Sequence, residues 1–280
     1  GVVVFLLGPR PQLDRSRLIA RSVPDLALLD LASWIDEREA AALPPVEPLA
    51  RAGIVWGRSP GERTPIALVY LHGFTATRRE IHPTVELVAQ GLQANVFYAR
   101  LTGHGQGSAG FDQADAVTWL IEAREAFEIG ARLGERVVLI GTSTGATLAS
   151  YLAVELAEDA RLAAMVLLAP NFGVRRKATE WVTGPWGLHI ARAATPNGRV
   201  TVPHRNPEHA RYWTTDYRVE AVVELMLLVQ EVRQMELERI GIPTLMIYAA
   251  DDPVLESQAM MQAFARFSHA ANRAIELGAA

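Results

Sequence analysis

Five residues near the middle of the chain carry the clearest chemistry: Gly141-Thr142-Ser143-Thr144-Gly145. The apolar run Val137-Val138-Leu139-Ile140 leads into them, and a helical pattern follows. Gly-x-Ser-x-Gly on a strand-to-helix turn has a mechanical basis. The turn is so tight that its flanking positions must be small, and it lifts the serine hydroxyl above the sheet edge. The N-terminus of the following helix adds unpaired N–H groups and a positive dipole end where negative charge develops. Ser143 is therefore the candidate nucleophile. A glycine-rich turn whose serine only caps the helix would share the pattern, but the strand before and the helix after favour the nucleophile.

Two more segments bear on the same chemistry. Tyr70-Leu71-His72-Gly73-Phe74 ends an earlier strand, where the second N–H of an oxyanion hole is expected, so the amides of Phe74 and Thr144 are the candidate donors. Leu101-Thr102-Gly103-His104-Gly105-Gln106-Gly107-Ser108 forms a loop of small residues leaving the next strand. His72 and His104 are read as anchors that fix these loops by hydrogen bonds, not as bases.

The elements that must position these residues follow from periodicity. Residues 25–41 read as an amphipathic helix with Asp25 as N-cap and Leu26, Leu29 and Trp34 among its apolar positions. The Pro44-Pro45-Val46-Glu47-Pro48 cluster stops it. From about residue 54, strands and helices alternate: strands at 66–71, 95–101, 136–141, 165–169, 244–249 and 273–277, helices at 84–91, 115–133, 145–158 and 256–267. Short buried apolar runs separated by helices imply a mostly parallel sheet covered on both faces. The interval 171–240 breaks the rhythm with Trp181, Trp186 and Trp213, several Gly and Pro, and an apolar helix around 219–235. It is too long for an ordinary connection and reads as a helical lid inserted before the penultimate strand. The expected organisation is an N-terminal extension (1–53), a core (54–170 and 241–280) and the lid (171–240).

Composition narrows the classes. Half of the 280 residues are hydrophobic and 21% are charged, the balance of an ordinary globular protein. A net charge of −4 gives no footprint for nucleic acid. With no cysteine, disulfides and thiolate metal sites are excluded. No ligand spacing such as H-E-x-x-H occurs, and the chemistry expected needs no metal or cofactor. The run Gly1 to Leu7 is too short to span a bilayer and reads as a strand or ordered terminus. The location expected by default is cytoplasmic. A hydrophobic segment preceding Gly1 would instead make this a membrane-anchored or exported protein.

His72-Gly73-Phe74, Gly103-His104-Gly105 and Gly141-Thr142-Ser143-Thr144-Gly145, in this order and spacing, resemble the α/β-hydrolase superfamily. They are most similar to its serine hydrolase branch of monoacylglycerol lipase-like and carboxylesterase-like enzymes. The resemblance covers roughly residues 54–280 and implies an α/β fold and a Ser–acid–His triad in that chain order. Its epoxide hydrolases and haloalkane dehalogenases carry Asp at the position of Ser143, which points here to acyl transfer. The family pattern of a strand, a short loop and Asp-x-Val-Val selects Asp252 of Ala249-Ala250-Asp251-Asp252-Pro253-Val254-Leu255, with Asp251 as the fallback.

The base has no comparable candidate. It should follow the final strand, but only Gly278-Ala279-Ala280 do so, and the catalytic histidine is expected beyond Ala280. His269, the one histidine after Asp252, precedes that strand and should emerge at the opposite sheet edge, so it is only a fallback. His189, His204 and His209 fall in the lid and do not fit the family order. The expected activity is cleavage of a small-molecule carboxylic ester, hydrophobic or acylglycerol-type, through an acyl-Ser143 intermediate. Other acyl hydrolases (a thioesterase or peptidase) and a non-catalytic binding protein of this fold are the alternatives. The Arg175-Arg176-Lys177 run reads as a solvated face. No oligomeric state is indicated.

Overall fold

The computed structural model describes residues 6–278. Its centre is a seven-stranded sheet in the order β1-β3-β2-β4-β5-β8-β9. The strands are β1 (Gly53–Val55), β2 (Thr64–Leu71), β3 (Asn95–Tyr98), β4 (Gly134–Thr142), β5 (Leu162–Leu168), β8 (Thr244–Ala249) and β9 (Arg273–Leu277). Only β1 is antiparallel to its neighbour. β2 shows why the run of apolar residues reads as a strand covered twice: Ala67, Val69 and Leu71 enter one core cluster, while Leu68 and Tyr70 enter another on the opposite face. Because all the parallel strands point the same way, the loops after β2, β3, β4, β5 and β8 emerge at one carboxyl edge.

Helices follow from local chemistry. Asp115 caps Ala116–Leu133 by accepting from the Thr118 N–H at 2.7 Å, and Trp119, Ala123, Ala126 and Phe127 are buried beneath it. Thr144–Glu155 is rich in alanine and leucine and buries ten of its twelve residues. Leu148 and Leu152, both fully buried, contribute about 2 kcal/mol each. The early helix runs Leu28–Ala40, shorter than its periodicity predicts. Asp25 is not its cap: Ala27 is, and Asp25 pairs with Arg132 at 2.9 Å. Leu31 and Ile35 are buried, whereas Leu29 lies exposed. The apolar run that opens the chain falls mostly outside the described residues.

The segment before β1 lies along the core. Arg17 forms a two-pronged bond to Asp115, Arg21 and Arg38 pair with Glu125, and Arg15 reaches Glu231. Nearer β1, Glu39 grips Arg100 through two hydrogen bonds (2.6 and 2.9 Å) with both side chains largely buried.

The interval between β5 and β8 is not purely helical. It holds a two-stranded antiparallel ribbon, β6 (Arg199–Thr201) and β7 (Asp216–Arg218), with short helices at Gly187–Ala194 and Pro207–Tyr212. Its final helix, Glu220–Gln234, places Met226, Leu228, Val229 and Val232 in the main core cluster. That helix is a layer of the core, and only the stretch before it stands over the carboxyl edge. No helix among the described residues is long and apolar enough to cross a membrane.

Candidate active site

Ser143 sits one residue past β4 with φ 51° and ψ −111°, a backbone conformation that side chains rarely adopt and that a surrounding structure must hold. Four main-chain hydrogen bonds hold it. The Ser143 N–H donates to the Leu168 carbonyl at 2.8 Å, extending the β4–β5 pairing by one residue. Its own carbonyl accepts from Ala146 and Thr147 in the next helix and from Asn171 after β5. The two glycines of the turn are required by close approach. A Cβ on Gly141 would overlap the Gly145 carbonyl, and one on Gly145 would overlap the Leu71 carbonyl of β2. The helix therefore starts pressed against the end of β2, where the other loop begins.

That loop runs His72-Gly73-Phe74-Thr75, with Thr75 at φ 64°. Gly73 lies beside Ser143: a Cβ there would stand 3.5 Å from the Ser143 Cβ. Among the described residues, no hydrogen bond to a protein acceptor is made by the amides of Phe74 or Thr144. The Phe74 ring is held edge-on by Phe111, Tyr217 and Trp119, with centroids 5.2, 5.5 and 6.2 Å away. The Thr75 carbonyl accepts from the Thr214 N–H at 2.8 Å, so the insertion touches the loop directly.

His72 and His104 are structural. The Leu101 N–H donates to His72 Nε2 at 3.1 Å, which puts the ring proton on Nδ1, 3.0 Å from the Gly73 carbonyl. His104 Nδ1 faces two carbonyls, those of Leu101 and Thr102, and must donate. Burial holds both imidazoles neutral, pushing His72 down to about 4 and His104 well below its ordinary value. Their rings lie 4.5 Å apart, which further opposes charging either one.

One polar group here has no counterpart in the sequence reading. Glu80 lies seven residues beyond Gly73, on a short 3-10 turn. Its Oε1 accepts from the Gly73 N–H at 2.6 Å and from the Tyr70 hydroxyl at 2.8 Å. The Tyr70 oxygen is in turn 2.9 Å from Thr142 Oγ1. With its own proton given to Glu80, Tyr70 accepts there and Thr142 donates. Burial pushes the Glu80 carboxyl up to about 7, against the pull of those two donors.

Asp252 lies in the loop after β8. Its Oδ1 accepts from the Val254 and Leu255 N–H groups, both at 2.8 Å, which fixes the turn. A main-chain bridge ties this loop to the turn that carries Ser143. Asn171 donates to the Ser143 carbonyl, and a few residues on Val174 pairs with Leu255 while Arg175 and Glu256 complete the exchange with Val254 and Gly173. Arg175 also donates from its side chain to the Asp252 carbonyl at 2.9 Å, and Lys177 pairs with Glu256. The basic run is thus partly a fastener of the acid loop, beyond the solvated face its sequence suggests. Asp251 is exposed.

The histidines fall elsewhere. β8 and β9 pair in parallel from Leu245↔Arg273 to Ala249↔Leu277, so the end of β9 stands beside the loop bearing Asp252. His269 precedes β9, at the opposite edge, where its Nδ1 accepts from the Ala271 N–H. His204 bonds Thr215 and His209 stacks on Trp213, both within the insertion, and His189 packs on Trp186. Among the described residues, no histidine is hydrogen-bonded to Ser143 or Asp252.

A mostly parallel sheet with a strained serine turn at its carboxyl edge and an insertion above it defines an α/β-hydrolase fold. Residues 63–277 match the family model described as serine aminopeptidase, S33, and the chain belongs to that family. Solved structures agree on the fold. A structure described with LipS and LipT, two metagenome-derived lipolytic enzymes, superposes with a TM-score of 0.69 at 18% identity, covering 83% of this chain and 89% of the other. The monoacylglycerol lipase of Paleococcus ferrophilus gives 0.58 at 16% identity, covering 81% and 87%. A soluble variant of the monoglyceride lipase of Saccharomyces cerevisiae, in complex with a substrate analogue, gives 0.58 at 11% identity, covering 81% and 82%. No curated protein is similar enough to count as a match.

Proposed function

We propose that this protein is a serine hydrolase of carboxylic esters, of the hydrophobic or acylglycerol type, working through an acyl-Ser143 intermediate. The observation that carries the reading is Ser143 itself: a non-glycine residue at φ 51°, ψ −111° on the carboxyl edge, beside Gly73 and at a helix N-terminus. In this reading the Ser143 oxygen attacks the ester carbonyl and its proton passes to an imidazole. The Phe74 and Thr144 amides receive the oxyanion, each worth about 3 kcal/mol in the transition state. The imidazole returns the proton to the leaving alcohol, and water then cleaves the acyl-enzyme by the same route. Asp252 orients the imidazole, and the end of β9 stands beside the loop that bears Asp252. Ester hydrolysis is preferred over thioester or peptide cleavage because the fold matches are to lipolytic enzymes.

The stretch of the insertion before Glu220 is the lid in this reading, and its apolar face meets the acyl group. The test is covalent labelling of full-length protein by a fluorophosphonate, with p-nitrophenyl esters of graded chain length as substrates. Labelling lost in Ser143→Ala, with turnover of at least one ester, is the expected result. An unlabelled, inactive full-length protein would overturn the reading in favour of a non-catalytic binding protein.

A further inference from the structure

We infer that Glu80 is a positioning residue that locks the oxyanion loop and the nucleophile turn to one carboxyl oxygen, so that Gly73 presents the following peptide N–H to the reacting carbonyl. The inference rests on the oxyanion role proposed for Phe74. The geometry is a short chain of bonds with Glu80 at its centre. Its Oε1 takes the Gly73 N–H at 2.6 Å and the Tyr70 hydroxyl at 2.8 Å, and Tyr70 takes Thr142, the residue before Ser143, at 2.9 Å.

Each bond removes a specific freedom. The Gly73 N–H belongs to the His72–Gly73 peptide, and gripping it limits rotation about the glycine, the most permissive residue in the loop. The peptide that follows carries the Phe74 N–H, so its direction depends on that rotation. The Tyr70 hydroxyl ends a side chain rooted in β2 and fully buried, and Thr142 ends β4. Through one oxygen, Glu80 therefore refers the loop to two strands of the sheet. The carboxyl is close to the chemistry as well: a Cβ on Gly73 would stand 2.9 Å from Glu80 Oε2 and 3.5 Å from the Ser143 Cβ. A side chain at Gly73 would press on the Glu80 carboxyl and displace it.

Glutamine can preserve this arrangement, since its carbonyl oxygen accepts from both donors, whereas alanine removes the acceptor and leaves two donors unpaired. Deleting an oxyanion donor outright costs about 100- to 1,000-fold in kcat, so loosening one should cost about tenfold or more.

The test compares wild-type protein, Glu80→Gln and Glu80→Ala with two readouts. The first is the Gly73 amide in a nitrogen-15 proton NMR spectrum, which needs no catalysis. It is expected downfield and slow to exchange in wild type and Glu80→Gln, and shifted upfield and fast in Glu80→Ala. The second is the rate of fluorophosphonate labelling, with kcat and KM for a p-nitrophenyl ester. Glu80→Ala should lose about tenfold or more in labelling rate and kcat with KM within about twofold, and Glu80→Gln should stay within about threefold of wild type. A Gly73 amide unchanged in Glu80→Ala overturns the lock. An altered amide with unchanged labelling, or Glu80→Gln as slow as Glu80→Ala, overturns the positioning role. A wild-type protein that does not label at all removes the function proposed for Ser143, and the positioning role with it, while the amide still decides whether the lock exists.

Discussion

Acid should unfold this protein through His72, and the effect can be isolated by replacing it. In the fold, His72 is fully buried, accepts from Leu101 and donates to Gly73, and burial pushes it down to about 4. Above pH 6.5 the imidazole is neutral in both states and contributes no pH dependence. Below 6.5 the unfolded chain takes up a proton that the folded chain refuses until about pH 4, so stability is lost across that window. At 1.36 kcal/mol per pH unit, the loss is about 3 kcal/mol. His104 adds to it with the same sign, being held neutral by burial and by His72 beside it. Glu80 opposes both: its carboxyl, pushed up to about 7, is ionised in the unfolded chain and protonated in the fold between about 4.5 and 7, so its contribution grows on acidification. The curve of wild type alone is therefore flattened. The difference between wild type and His72→Gln is not, because Glu80 is common to both. Urea denaturation followed by circular dichroism at pH 7, 6, 5 and 4 should show the variant less stable at pH 7 and the gap narrowing by about 3 kcal/mol by pH 4. A gap independent of pH would refute the assignment of His72 as a neutral buried anchor.

Three further outcomes are expected. Ser143→Gly relieves the strained turn and should raise stability by about 1 kcal/mol, net of the added freedom of the unfolded chain, while abolishing fluorophosphonate labelling; thermal melting at constant pH checks it. Gly145→Ala drives a methyl group into the Leu71 carbonyl and should cost about 3 kcal/mol or more, and a melting temperature equal to wild type would contradict the close approach of helix and β2. Asp252→Asn keeps the Oδ1 acceptor for Val254 and Leu255, so stability should stay within about 1 kcal/mol. Its kcat should fall by roughly 10⁴-fold if Asp252 orients the base, and measured ester turnover decides between the two.

What could be read from sequence was what repeats locally. Thr244–Ala249 matches the predicted strand because an apolar run bounded by turn residues needs no tertiary knowledge. The serine turn was legible because Gly141 and Gly145 leave few other structures available to it. Glu80 was not legible, since nothing in Arg78-Arg79-Glu80-Ile81 distinguishes a carboxylate that folds back to Gly73 from one in water. The bridge from Asn171 to Arg175 was hidden for the same reason: it is made by backbone groups, which any sequence provides. The β6–β7 ribbon was missed because three-residue strands carry too little alternation to register. Periodicity places Leu29 on the apolar side, but the helix begins at Leu28, past the predicted cap, and Leu29 falls outside the face that meets the core.

The bond from Thr214 to the Thr75 carbonyl, together with the Phe74–Tyr217 pair, makes the insertion a support for the loop after β2. One hydrogen bond and one aromatic pair amount to roughly 2 kcal/mol of attachment between the insertion and the loop. Any displacement of this stretch would strip the loop beneath it of two of its supports at the same moment. The insertion is thus less a door hung on the rim than a brace that the loop leans on.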